Sequence, residues 1–128
     1  MDTLEILFFI AYGLGALAFG FILSAKPVIG NAALAGLLCV VFGAYTAVQI
    51  AREGVIMFFT NHSHNLTGLQ VWWDLLMCAL IALFFIAPRA RAAGMNVVPW
   101  ALLVGTTASI GLLAMCARLF WLEARAQR

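Results

Sequence analysis

Residues 69–87 read LQVWWDLLMCALIALFFIA, and this stretch decides the class of fold. Beyond Asp74 it carries no charged side chain, and Pro88 follows directly after it. About 20 largely apolar residues in a helix are enough to cross the roughly 30 Å hydrocarbon core of a bilayer. The stretch therefore predicts a membrane-spanning helix, which we expect Pro88 to end because proline cannot continue the hydrogen-bond ladder.

Three other stretches share this apolar character and a suitable length. Every backbone polar group in lipid must be paired internally, which favours helices over other structures. The sequence therefore predicts an all-α fold, a four-helix transmembrane bundle forming a single domain over residues 1–128. The predicted spans are residues 4–24, 31–51, 69–87 and 98–122.

Composition supports the same class of protein. Hydrophobic residues make up 66% of the chain and charged residues 9%, whereas soluble domains are about 45–50% apolar and about 25% charged. The formal net charge of +2 is too small to indicate a nucleic-acid surface. We interpret the three cysteines as small buried hydrophobic side chains, because no metal-binding or redox spacing is present.

Charge distribution bears on orientation, since basic residues favour the cytoplasmic side of a membrane. Four spans would place both termini and the loop at 55–67 on one side. Lys26 and the acid-free Arg89–Arg91 segment would lie on the other side. These loops favour termini outside, although Arg118 and the C-terminal arginines argue the reverse. We predict that both termini lie outside.

Asp74 is the most informative single residue for function. Carboxylates within a span usually face the bundle interior or a cavity. Arg118 lies nineteen residues after Pro99, about 28 Å along the predicted helix, which returns it to the side of Asp74. Arg52 ends the second span at the same side. We predict that Asp74 meets Arg118 or Arg52, either as a structural ion pair or as a proton, ion or ligand site.

His62 and His64 are the only histidines and lie in the loop before the third span. In an extended segment they could share a metal ion, and Glu53 or Asp74 would be needed to complete a zinc site. The alternative is a solvated loop at the membrane interface. The sequence does not identify any other cofactor.

Tryptophans and small residues point to the packing of the helices. Tryptophan is enriched at both membrane interfaces, so we interpret the four tryptophans, which lie near span ends, as interface anchors. Gly43 and Gly105 belong to stripes of small residues repeated every four positions, which favour close helix packing in lipid. The anchors are Trp72, Trp73, Trp100 and Trp121.

The last three quarters of the chain carry short motifs that suggest a family. These motifs are FFTN at 58–61, DLL at 74–76, RARAAGM at 89–95, Trp100, SIGL at 109–112 and RLFWLE at 118–123. In these motifs the chain resembles the small bacterial membrane proteins grouped as the domain of unknown function DUF2834. The resemblance implies a bacterial inner-membrane protein and no particular activity.

Function is predicted mainly from what the sequence lacks, namely a polar midsection and a complete cofactor set. The leading interpretation is a non-enzymatic accessory or assembly subunit of a membrane complex, or a self-associating bundle. Its expected partners are the lipid bilayer and further membrane subunits, with no nucleic acid. One alternative is a transporter or channel that uses Asp74. Another is a binder of lipid, quinone or pigment, or a membrane enzyme.

Overall fold

The computed structural model describes residues 2–24, 26 and 29–128, and within them all regular structure is helical. Three of the described helices are long and apolar enough to cross a membrane: α1, α2 and α4. The all-α class is therefore confirmed, and the apolar helices fit an integral membrane protein. The helices are α1 (Thr3–Ser24), α2 (Ala32–Glu53), α3 (Met57–Ser63), α4 (Leu66–Ala92), α5 (Val97–Thr107) and α6 (Ser109–Ala126).

Asparagine begins three of these helices. The side chains of Asn31, Asn65 and Asn96 each accept a hydrogen bond from a backbone N–H in the following first turn. Asparagine is among the preferred residues at this position because it satisfies an otherwise unpaired donor. The starts of α2, α4 and α5 are therefore set by these asparagine hydrogen bonds as well as by hydropathy.

Helix α4 continues through Pro88 and ends at Ala92, so the prediction that Pro88 ends this helix is wrong. Proline removes the hydrogen bond that the carbonyl of Phe84 would otherwise receive. Ala90, in the turn after the proline, is fully buried in the main hydrophobic cluster. This packing holds the last turn in place despite the lost bond.

The fourth predicted span is two helices, because the chain reverses at Ala108. Ala108 has φ 48° and ψ −114°, a conformation that no helix can include. The prediction of one helix over residues 98–122 is therefore wrong. The eleven residues of α5 extend about 16 Å, or about half of a hydrocarbon core.

Three contacts show that α6 returns to the end of the bundle from which α5 starts. The side chain of Glu123 in α6 binds Arg89 near the C-terminal end of α4. The thiol of Cys39 lies 3.4 Å from the carbonyl oxygen of Ile110, and Gly30 lies against the ring of Phe120. Helix α6 is therefore antiparallel to α2, and α5 and α6 form a helical hairpin.

This hairpin removes the basis for one prediction about topology. Placing both termini on the same side, outside, required an even number of complete crossings. The end of α6 instead lies beside the end of α4. If α1, α2 and α4 all cross the membrane, the two ends of the chain lie on opposite sides.

The buried core is small and lies where the hairpin meets α4. Met115 and Leu119 of α6 are fully buried, together with Ala90, Met95 and Val104. Gly111 permits the close approach of the two hairpin helices, because a Cβ there would lie 2.8 Å from the carbonyl carbon and oxygen of Leu103. The hairpin is therefore packed tightly at its closed end.

Helix α1 stands apart from this core. None of its 22 residues is buried. Within the described part of the chain, it packs extensively against no other helix. Its side chains therefore face whatever surrounds the protein.

Candidate functional site

The structure does not bring Asp74 together with Arg118. Asp74 is exposed on α4 and forms no ion pair with any described residue. It lies fifteen residues before Arg89, about 22 Å along the helix. Arg118 lies near the Arg89 end instead, because the chain reverses at Ala108 and does not continue as one straight helix.

Arg52, the second predicted partner of Asp74, lies exposed in the last turn of α2. It also forms no ion pair among residues 29–128. Within one copy of the described chain, the predicted charge site is therefore not assembled. Asp74 remains a carboxylate inside a helix that is long and apolar enough to span a membrane.

The two histidines lie in a helical segment and not in an extended one. His62 belongs to α3, and its Nδ1 lies 2.7 Å from the carbonyl oxygen of Phe58. His64 follows the helix in a right-handed helical conformation. Residues two apart on a helix do not share a face, and the described residues contain no cluster of three or more metal-ligating side chains.

His62 takes part in an aromatic contact at this end of the bundle. Its ring centroid lies 5.6 Å from that of Trp72, and Phe59 lies 5.8 Å from the same indole. These contacts fasten the short helix α3 against the start of α4. The packing role of His62 is therefore evident from the structure.

The tryptophans divide between the two ends of the bundle. Trp72 and Trp73 lie in the second turn of α4, whereas Trp100 and Trp121 lie toward the Arg89 end. Trp73 and Trp121 are exposed, and Trp100 is half-buried against the core cluster. This arrangement agrees with the expected positions of interface anchors, and the anchoring role itself stays a prediction.

The strongest polar contact in the described chain is the ion pair between Arg89 and Glu123. The two nitrogens Nε and Nη2 of Arg89 donate to the two carboxylate oxygens at 3.0 and 2.6 Å. The guanidinium carbon of Arg89 also lies 5.6 Å from the centroid of the Phe120 ring. A bidentate pair fixes relative orientation as well as distance, so it joins the free end of the hairpin to α4.

Trp121 contacts two further arginines at the same end. The guanidinium carbons of Arg118 and Arg125 lie 4.7 and 4.5 Å from the ring centroid of Trp121. Both distances are within the range of cation–π attraction. Helical spacing explains the arrangement, since residues three and four apart on a helix are neighbours.

An open cleft of about 530 Å³ adjoins the ion pair. Ile29 forms one wall, which places the start of α2 and nearby Lys26 at this end of the bundle. The C-terminal ends of α4 and α6 form the other walls of the cleft. The lining residues are Ile29, Arg89, Ala92, Ala93, Leu122, Glu123, Ala126 and Gln127.

Six of the seven basic residues lie at this end of the described chain, and we call this set the basic face. Glu123 is the only acidic side chain that the described contacts place beside these basic residues, and it is paired with Arg89. The excess of arginine after residue 88 could have indicated this face from the sequence. The prediction of four spans instead placed these arginines on two different sides of the membrane. The basic face comprises Lys26, Arg89, Arg91, Arg118, Arg125 and Arg128.

Comparisons of the chain with protein-family models, with curated proteins and with solved structures found no match. The resemblance to DUF2834 therefore stays an expectation from the motifs.

Proposed function

We propose that this chain is a small membrane protein of the bacterial inner membrane that acts without catalysis, as an accessory or assembly subunit of a membrane complex. A self-associating bundle is the simplest form of such a complex. The observation that carries the proposal is α1, a complete apolar helix that buries no residue against the described part of its own chain.

The sequence of α1 is suited to contact with another helix. Ala16, Gly20 and Ser24 repeat every four residues along it. A Cβ added at Gly20 would meet no atom of the described chain within 4 Å. Small residues at this spacing let helix backbones approach closely in lipid, so α1 supports a role in assembly.

Asp74 adds independent support. If the membrane edge lies near Arg89, Asp74 lies about 7 Å inside a hydrocarbon core of about 30 Å. A lone carboxylate in hydrocarbon is unfavourable unless it is paired or protonated. With no ion pair among the described residues, Asp74 is suited to pair with a basic or hydrogen-bonding group of another subunit.

The proposal is tested by the native mass of the full chain purified in mild detergent. We expect a homo-oligomer or a complex with a second membrane protein. Gly20→Leu should weaken this assembly because it blocks close approach, whereas Phe19→Leu, on the same exposed helix, should leave it intact. A protein that is strictly monomeric and free of partners would refute the proposal.

A further inference from the structure

We propose that the basic face binds the phosphate groups of anionic phospholipids in the leaflet at that end of the bundle. This inference requires only that the chain lies in a membrane, and it does not depend on the accessory role proposed above.

Charge complementarity is the first argument. Glu123 occupies two donors of Arg89. Arg91, Arg118 and Arg125 form no ion pair with any residue of the described chain. Basic residues that cluster at a membrane surface attract anionic headgroups, each contributing about 1 kcal/mol. The face therefore presents several positive charges that its own chain does not neutralise.

The contacts of Trp121 are the second argument. Arg118 and Arg125 both place their guanidinium groups over the indole ring. The hydrogen-bond donors of a guanidinium lie in its own plane, so contact with a ring leaves donors available for a phosphate. Tryptophan itself favours the headgroup region of membranes. The indole thus holds two arginines where headgroups are found.

The depth of the face is the third argument. Phe84 and Phe85 of α4 are 79% and 73% exposed, as expected of side chains that face lipid tails. Arg89 follows one turn later on the same helix. Arg89, and with it the end of α6 that it binds through Glu123, therefore lies just beyond the apolar surface, where a bilayer has its phosphates.

The test compares lipid retention by the full chain in nanodiscs that contain equal amounts of phosphatidylglycerol and phosphatidylcholine. Native mass spectrometry of the released protein counts the lipids of each kind that stay bound. We expect phosphatidylglycerol to be enriched on the wild-type protein. Arg125→Gln should lower this enrichment about fivefold, the effect expected of one basic residue near the surface.

Matched variants separate a specific face from a general effect of net charge. Arg125→Lys keeps the charge and should retain most of the enrichment. Arg52→Gln removes the same charge from the opposite end, and should leave the enrichment unchanged. An equal loss in Arg52→Gln, or equal retention of the two lipids by the wild type, would overturn the proposal. Displacement of the lipid by inorganic phosphate, but not by sodium chloride at the same ionic strength, would also overturn it, because it would indicate a site for a soluble ion.

Discussion

Two glycines of the hairpin differ in their surroundings, and this difference gives opposite expectations for the same substitution. A Cβ at Gly111 would lie 2.7 Å from Oγ1 of Thr107 and 2.8 Å from the backbone of Leu103. At Gly105, in the middle of α5, it would meet no described atom within 4 Å. Gly43 and Gly105, each in its own stripe of small residues, were expected at helix contacts, but a Cβ at either would meet no atom of the described chain within 4 Å.

We therefore predict that Gly111→Ala lowers the free energy of unfolding by about 1–3 kcal/mol, because the neighbouring backbone must move. Gly105→Ala should instead stabilise the protein by up to about 1 kcal/mol, because alanine favours helix. Unfolding in mixed micelles with increasing denaturing detergent measures both. Equal effects of the two substitutions would show that the hairpin helices are not in close contact at Gly111.

The Arg89–Glu123 pair connects α4 with the end of the hairpin, and a double-mutant cycle measures its contribution. We predict a coupling free energy of about 0.5–1 kcal/mol between Arg89→Gln and Glu123→Gln, since the pair is bidentate but partly exposed. Arg91→Gln is the control, because Arg91 forms no ion pair in the described chain. Coupling of Glu123→Gln with Arg91→Gln that equals its coupling with Arg89→Gln would argue against the pair.

At the scale of single residues, sequence reasoning identified the groups that carry charge but not their partners. Asp74 and Arg118 were matched by depth, and that depth was counted along a straight helix. The reversal at Ala108 moves Arg118 toward Arg89. Pairing depends on the path of the chain. When one turn is not predicted, the predicted partners of all residues after it are wrong.

At the scale of elements, hydropathy predicted α1, α2 and most of α4 with ends close to those observed. The break between α5 and α6 escaped because it lies at an alanine, a strong helix former. No glycine or proline lies at residue 108 or beside it, and its neighbours Thr107 and Ser109 are small residues that apolar membrane helices also carry. The close packing of Gly111 on Leu103 is a tertiary contact, which composition and periodicity do not reveal.

The positive φ of Ala108 leads to a prediction about the turn itself. Non-glycine residues in such conformations carry strain of about 1–3 kcal/mol, which glycine relieves at the expense of a more flexible unfolded chain. We expect Ala108→Gly to stabilise the protein by about 1 kcal/mol. Ala114→Gly, within α6, should destabilise it by about the same amount. A loss of stability in Ala108→Gly that matches Ala114→Gly would favour a continuous helix through residue 108.

At the scale of the whole molecule, the hairpin gathers the positive charge of the chain at one end. Basic residues favour the cytoplasmic side, and the basic face contains six of the seven. We therefore predict that the C-terminal end of α6 and the turn after α4 lie in the cytoplasm. The four-span interpretation left the two sides nearly balanced in charge.

Accessibility of single cysteines from the two sides of the membrane tests the hairpin most directly. In a protein whose native cysteines at 39, 78 and 116 are replaced, one cysteine is introduced at Asn96, Gln127 or His64, all of which are exposed. A membrane-impermeant maleimide is applied to intact cells and to inverted vesicles. The hairpin predicts that positions 96 and 127 react from the same side and position 64 from the other side, and the basic face predicts that the shared side is cytoplasmic. Reaction of position 127 from the same side as position 64 would show that α5 and α6 cross the membrane as one span, and would contradict the hairpin.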